Sequence, residues 1–296
     1  MLSPTAASTR KGILLMLLAI LLFTAMDALA KGLVQRYPTP QVVWARFAGQ
    51  LLLVVVILNR GLGPVLRTRF AGLHVLRSAT QLGATGFFFA SLNHIGLAEA
   101  TALTDINPVL ITLGAALFLG ERLGPRRIAG VLLAMLGAMI IIRPGMAVFT
   151  PAAILPLLCA VCYATSALLT RKVGASETAW TSMFYAALFG TLATGATLPV
   201  VWVPIPMSDW PVFAVVGCLG TAAQLALIRS FSIAEASAVA PFGYAGIVLA
   251  TFWGVVLYGE YPDAPTILGA SIIVGAGLYI WHRETRAARI RPAPAG

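Results

Sequence analysis

The stretch NPVLITLGAALFLGERLGPRRIAGVLLAMLGAMIIIRPG, residues 107–145, decides the fold of this chain. Two apolar runs, each close to the length of about 20 residues that crosses a bilayer, flank a short basic turn at Gly120-Glu121-Arg122. The same plan returns later, where an apolar run ends at Gly259-Glu260 and another follows at 264–282. The stretch therefore indicates a pair of membrane helices, and its return indicates a duplicated chain.

The composition excludes an ordinary soluble protein. The chain is 59% hydrophobic and 10% charged, whereas soluble domains are typically about 45–50% apolar and about 25% charged. The net charge of +10 is spread over the ends of apolar runs, as in membrane topology signals, and forms no single basic patch. We therefore expect a lipid-embedded protein that binds no nucleic acid.

Ten apolar segments are long enough to cross a membrane. They predict an all-α integral membrane protein with spans at 12–34, 41–59, 71–93, 98–119, 126–143, 150–171, 178–200, 210–230, 235–258 and 264–282.

The two halves of the chain repeat one another. Ala98-Glu-Ala-Thr-Ala-Leu recurs as Ala234-Glu-Ala-Ser-Ala-Val. This predicts a first repeat at 12–145, a second at 150–282 and a basic, disordered tail at 283–296. Since five spans per repeat is an odd number, the repeats must face opposite ways, which is a recurring plan of secondary transporters.

The basic residues predict the orientation. Arg10-Lys11, residues 122–127 and Arg171-Lys172 fall on one side of the predicted spans, and Arg36 and Arg143 fall on the other. Because Lys and Arg are enriched in cytoplasmic loops, both termini are predicted to be cytoplasmic, in a bacterial inner membrane.

The stretch at 107–145 resembles the EamA signature of the drug/metabolite transporter superfamily, and residues 247–277 match it more loosely. The resemblance covers about residues 12–282. It implies alternating access without ATP, around a cavity lined mainly by the first, third, fourth, sixth, eighth and ninth spans. The segment FTAMDALAK, residues 23–31, resembles the branch of riboflavin and S-adenosylmethionine importers and of exporters of amino-acid-like compounds.

Four charged residues within the spans are the first candidates for a substrate site. Asp27, Lys31, Arg46 and Asp105 fall at a similar depth, and charges persist at such depth when they face a cavity or pair. We expect Asp27 and Asp105 to bind a substrate ammonium or a proton, and Lys31 or Arg46 to bind a carboxylate. The alternative is structural: Lys31 and Arg46 reach the interface, and Asp27 pairs with Lys31 at the i, i+4 spacing.

Polar and aromatic residues at mid-depth complete the predicted substrate site. Asn107 stands beside Pro108, which interrupts the backbone hydrogen bonds of the fourth span and frees carbonyl groups towards a cavity. The further candidates are Gln81, Tyr163, Gln224, Tyr244 and Trp253.

We therefore predict a secondary transporter of a small polar or zwitterionic metabolite, favoured as an exporter of an amino acid or an opine-like or metallophore-like compound. An importer of riboflavin, S-adenosylmethionine or a similar planar metabolite is the alternative. No catalytic residue, metal or cofactor is expected: the three histidines are scattered and Cys159, Cys162 and Cys218 lie in apolar runs. A membrane lipid enzyme and a receptor or scaffold are the remote alternatives.

Overall fold

A computed structural model of the chain describes residues 6–66, 68–119, 125–143, 150–173, 178–234 and 239–290. All regular elements within these ranges are helical. The α-helices are α1 Ala6–Val34, α2 Thr39–Leu58, α3 Leu62–Val65, α4 Ala71–Ser91, α5 Leu97–Thr104, α6 Asn107–Leu119, α7 Pro125–Ile142, α8 Ile154–Val173, α9 Ala179–Gly195, α10 Leu198–Val201, α11 Trp210–Ile233, α12 Ala245–Tyr258 and α13 Ala264–Ile290.

Several helices are long and apolar enough to cross a membrane. Five segments of the described chain meet both requirements, at Thr9–Val34, Thr39–Leu58, Pro151–Thr170, Trp210–Ile233 and Pro241–Tyr258. Shorter apolar helices lie at Ile128–Ile142 and Ala264–Tyr279.

Large apolar side chains cover the outside of the helix bundle. Leu52 is 64% exposed, Leu132 61% and Val248 71%. An apolar surface of this kind requires lipid or a partner, because water does not stabilise it. The outside of the bundle is therefore suited to contact with lipid.

The helices pack with an approximate two-fold relation between the halves. Helix α1 packs on α11, and the corresponding helix of the second half, α8, packs on α4. Helices α2 and α9 pack on one another, as do α7 and α13. Helices α2 and α7 thus meet their own counterparts, α9 and α13. Helix α1 meets α11, the counterpart of α4, and α8 meets α4 in the same way, as expected for two copies of one unit.

Glycines allow the closest crossings. A Cβ atom on Gly217 would lie 2.8 Å from the Cα atom of Gly49, and a Cβ atom on Gly137 would lie 2.7 Å from the carbonyl oxygen of Gly269. Backbones approach this closely only where no side chain intervenes, which is the usual basis of tight packing between membrane helices. The two halves are therefore joined by backbone contact at α2–α11 and at α7–α13.

Contacts between helix ends define two faces of the bundle. On the first face, Arg36 after the end of α1 pairs with Asp209 before the start of α11, at 2.8 Å. On the second face, the Ser230 hydroxyl near the end of α11 donates to the Gly12 carbonyl near the start of α1, at 2.7 Å. Helix α1 therefore runs from the second face to the first, and α11 runs from the first face to the second.

The corresponding helix of the second half runs the other way. Helix α2 returns from the first face, so α4 starts on the second face, where Arg77 donates to Thr170 near the end of α8, at 2.7 Å. Helix α8 therefore ends on the face where α1 begins. The directions agree with the expected inversion of the two repeats.

The predicted fourth and ninth spans are not continuous α-helices. Helix α5 ends at Thr104, Asp105 and Ile106 form a turn, and α6 begins at Asn107. In the second half a 3-10 segment, Ala240–Tyr244, precedes α12. A proline limits the helix at both places, because it lacks an N–H group and its ring crowds the preceding turn. The expected interruption near Pro108 is confirmed.

The chain also departs from the predicted ends. Helix α13 continues to Ile290, so the basic tail, predicted to be disordered from residue 283, begins as a helix. Glu121 and residues 235–238, which belong to the repeated sequence segments, lie outside the described residues.

Candidate functional site

Arg46 on α2 is buried in the membrane part of the bundle. The side chain is 5% exposed, and its Nε and Nη1 atoms have no hydrogen-bond partner within the described chain. Its guanidinium lies over the Phe47 ring at 4.8 Å from the ring centre. Asp27 on α1 is close enough to interact with it electrostatically. The structure thus brings Asp27 within electrostatic reach of Arg46 and leaves two N–H-bearing nitrogens of Arg46 without partners in the described chain.

A glycine of the second half makes room for this guanidinium. A Cβ atom on Gly220 of α11 would lie 3.7 Å from Arg46 Nε and 2.8 Å from Met26 Sδ. Gln224 is one turn further along α11 on the same helix face, and it is half-buried. The predicted residue Gln224 therefore lies on the side of α11 that faces Arg46.

Asp105 occupies the turn between α5 and α6. Its Oδ2 atom and the Oδ1 atom of Asn107 are buried without a hydrogen-bond partner among the described residues. Tyr163 on α8 and Tyr244 before α12 both interact electrostatically with Asp105. The break in the helix thus places the Asp105 carboxylate within electrostatic reach of two second-half phenols.

Cys159 on α8 connects the two acidic positions. It is 5% exposed and lies within interaction distance of Thr104, Asp27 and Asp105. We define the inner cluster as Asp27, Arg46, Asp105, Asn107 and Tyr244. Nothing in the local sequence pattern placed Cys159 here, because a cysteine in an apolar run is typical of packing.

The remaining polar predictions have different surroundings. Gln81 on α4 accepts a hydrogen bond from Ser166 on α8, at 3.4 Å, and so links these helices. Trp253 on α12 is half-buried, with its Nε1 atom unpartnered in the described structure. Tyr163 is 39% exposed, more than the other predicted site residues in helices.

Lys31 does not pair with Asp27, contrary to the pairing inferred from their i, i+4 spacing. Its Nζ atom lies 2.6 Å from Glu260 Oε1 and donates to the Ile95 carbonyl at 2.8 Å. Both Asp27 and Lys31 are described, and no ion pair joins them. The i, i+4 spacing makes a pair with Asp27 possible, but the ammonium of Lys31 instead pairs with the carboxylate of Glu260, which follows α12.

Glu260 is a candidate site residue that the sequence analysis treated only as the end of an apolar run. Helix α12 ends at Tyr258 and is capped by Gly259, whose φ of +65° is left-handed and suits glycine. The chain then turns so that the Glu260 carboxylate meets Lys31 with one oxygen and accepts from the Leu97 backbone N–H, at 3.0 Å, with the other. The only available signal was the pattern Gly-Glu at the end of an apolar run.

A charged pocket of about 360 Å³ opens beside this pair on the first face. Its charged lining consists of Lys31, Glu99, Arg143, Glu260 and Asp263. Arg143 pairs with Asp263 across the two halves. The carboxylate of Asp263 also accepts from the Thr266 N–H, and these partners hold the pKa of Asp263 below its ordinary value. The charged pocket therefore carries both signs of charge within a volume that suits a small metabolite.

Each ion pair recorded between described residues joins the two halves on the first face. The cations Lys31, Arg36 and Arg143 come from the first half, and their acidic partners come from the second. Arg36 and Arg143 are the basic residues that the orientation rule leaves on the sparsely charged side, and Lys31 lies near the end of the first span. Pairing explains how that side carries them with little net positive charge.

One protein-family model matches both halves of the chain. The model of the EamA-like transporter family matches residues 10–143 and again 150–281. A solved crystal structure with 22% identity matches 93% of this chain and 98% of its own length with a TM-score of 0.65, which supports the fold alone.

Curated relatives align along nearly the whole chain. The pseudopaline exporter CntI of Pseudomonas aeruginosa is 32% identical over 273 residues, covering 90% of this chain and 94% of the relative. A riboflavin transporter of Rhizobium johnstonii is 30% identical, and the alignment covers 95% of this chain and 94% of the relative. An S-adenosylmethionine uptake transporter of Rickettsia bellii is 24% identical, covering 92% and 93%. The relatives are small-molecule transporters rather than enzymes, and they include both exporters and importers by name.

Proposed function

The chain belongs to the EamA-like transporter family, and we propose that it exports a small zwitterionic metabolite derived from an amino acid, by alternating access without ATP. The observation that carries this proposal is Arg46, which is 5% exposed and has two N–H-bearing atoms without partners in the described chain. A buried guanidinium is costly unless an anion meets it, and its planar fork suits a carboxylate.

The acidic side of the inner cluster supports a substrate that also carries an ammonium group. Asp105 Oδ2 and Asn107 Oδ1 are buried acceptors without partners in the described structure, and Asp27 is nearby. An ammonium group supplies donors for such acceptors. A zwitterion therefore satisfies the inner cluster on both sides, and Asp27 and Asp105 are also the groups through which proton coupling would act.

The topology that we infer has ten transmembrane helices in two inverted repeats, with both termini in the cytoplasm of a bacterial cell. It is supported by the opposite directions of α1 and α8 and by the ion pairing of Lys31, Arg36 and Arg143 on the first face. A green fluorescent protein fused to the C-terminus is expected to fluoresce, since it folds in the cytoplasm. An alkaline phosphatase fusion that is active instead would contradict this orientation.

Binding tests the substrate class. Purified wild-type protein is screened by thermal shift against amino acids, amino-acid-derived zwitterions, S-adenosylmethionine and riboflavin. A zwitterion is expected to stabilise the wild type and to lose most of its effect in Arg46→Gln, while Arg46→Lys, which keeps the charge without the fork, retains part of it. The direction is then read from uptake into right-side-out and inside-out vesicles.

Import of a planar metabolite is the second candidate. It is supported by the 30% identical riboflavin transporter. It is also supported by Tyr244 and Trp253, whose hydroxyl oxygen and Nε1 atom have no hydrogen-bond partner in the described part of the chain. Aromatic side chains with polar tips suit a flat heterocycle. Stabilisation by riboflavin that persists in Arg46→Gln and is lost in Trp253→Leu would favour this candidate over zwitterion export.

A further inference from the structure

Lys31 separates the two polar regions of the protein. Its side chain lines the charged pocket, while Asp27 of the inner cluster is one turn earlier on the same face of α1. Lys31 is 2% exposed and Glu260 is 31% exposed. The ion pair between them therefore lines the charged pocket and lies one helix turn from Asp27 of the inner cluster.

The Lys31–Glu260 pair holds three segments together. Lys31 is on α1, Glu260 follows α12, and both bond to the chain at the start of α5, through the Ile95 carbonyl and the Leu97 N–H. The Leu97 N–H is one of the backbone donors that a helix start leaves without an internal partner. Since α5 ends at Thr104, directly before Asp105, a displacement of Glu260 frees the segment that leads into a member of the inner cluster.

The chemistry of the pair selects what can displace it. An ammonium that is almost fully buried needs an anionic partner, and the carboxylate needs a donor. A solute with a single charge replaces one partner and leaves the other unpaired. A zwitterion supplies both replacements, its carboxylate to Lys31 and its ammonium to Glu260.

We propose that the charged pocket is the outer binding site of the transport path and that the Lys31–Glu260 pair is its gate, opened by zwitterionic solutes through exchange of partners. This inference rests on the proposed transport of a zwitterion. It adds a second site on the path and a mechanism that admits solutes with both charges.

Cys159 provides a native reporter of the gate. It is buried beside the inner cluster, so a water-soluble thiol reagent reaches it only through an open path. With Cys162→Ala and Cys218→Ala as the background, Cys159 is the remaining thiol of the chain. The rate of its modification by the trimethylammonium methanethiosulfonate reagent is measured in right-side-out and inside-out vesicles, without any need for transport.

Opening the gate by mutation is the first arm. Glu260→Gln is compared with Lys31→Met/Glu260→Gln, which leaves no unbalanced buried charge and guards against misfolding. Both are expected to speed labelling from the first face by about tenfold, equal to about 1.4 kcal/mol in the opening equilibrium. The reagent is cationic, so loss of the Glu260 charge would by itself slow its approach. Arg36→Gln, which breaks an exposed pair on the same face, is the control.

Opening the gate with a solute is the second arm. Glycine, the smallest zwitterion of this class, is expected to speed Cys159 labelling in the background protein, while acetate and methylammonium at equal concentration do not. Three results would overturn the proposal. The first is a Cys159 labelling rate in the Glu260 variants equal to that in Arg36→Gln. The second is equal acceleration of labelling from both faces, and the third is an equal effect of glycine, acetate and methylammonium on the labelling rate. Altered labelling in a protein that transports no zwitterion would contradict the proposed function and leave the gate standing.

Discussion

The substitution Glu260→Gln removes the charge that balances Lys31. Because Lys31 is 2% exposed and Glu260 31%, the substitution leaves the lysine side chain without its carboxylate partner in a site with little water. Removal of one member of a buried ion pair typically costs about 3–5 kcal/mol, and the partial exposure of Glu260 favours the lower end. A loss of about 3 kcal/mol lowers the melting temperature by roughly 5 °C in a chain of this size, at an unfolding entropy of about 2.1 cal/mol/K per residue.

A double-mutant cycle separates the ion pair from other effects of the substitution. Glu260→Gln, Lys31→Met and the combined variant are compared by melting temperature in detergent, followed by fluorescence-detected size exclusion. The combined variant removes both charges, so it is expected to be more stable than Glu260→Gln alone. Arg36→Gln is the matched control: Arg36 is 54% exposed, and exposed pairs contribute about 1 kcal/mol or less.

Two results would refute this reasoning. One is a decrease for Glu260→Gln no larger than that for Arg36→Gln. The other is a combined variant whose loss equals the sum of the single losses, since the two side chains would then be energetically independent.

Three other predictions address coupling, pH and packing. Asp27→Asn together with Asp105→Asn is expected to abolish the pH dependence of uptake into proteoliposomes; an unchanged pH profile would exclude coupling through these groups. Bonds from Tyr37 and Arg36 hold the pKa of Asp209 below its ordinary value, so their stabilisation is complete above about pH 4 and is lost as the pH falls through the lowered pKa. The melting temperature difference between wild type and Asp209→Asn should accordingly be constant near neutral pH and shrink below pH about 4. Gly217→Ala places a Cβ atom 2.8 Å from the backbone of α2 and is expected to cost about 1–3 kcal/mol, measured by melting temperature, whereas Gly86→Ala, which meets nothing within 4 Å, is expected to be neutral or slightly stabilising.

The positions of charged residues in apolar segments identified most of the inner cluster from the sequence. Charge within a membrane helix is rare and requires a polar surrounding, so Asp27, Arg46 and Asp105 were recognisable one by one. The break at Asp105 was likewise foreseeable from Pro108, because the effect of a proline on its helix is local.

The partners of those charges were not recognisable in this way. Spacing along one helix shows which side chains share a face, and it suggested Asp27 as the partner of Lys31. The structure pairs Lys31 with Glu260 from the other half, and it brings Cys159 beside Asp27 and Asp105. Such pairs depend on how helices distant in sequence cross, and the local pattern does not contain that information.

By itself, the sequence determined that this protein is a duplicated bundle of apolar helices with a few charges inside, since composition, segment length and repetition are properties of the chain alone. Only the tertiary structure decided which charges neutralise one another, where unpartnered donors and acceptors remain, and which face carries the charged pocket. The physical reason is that an ion pair forms with whichever opposite charge the packing brings within about 4 Å, however far away that residue lies along the chain.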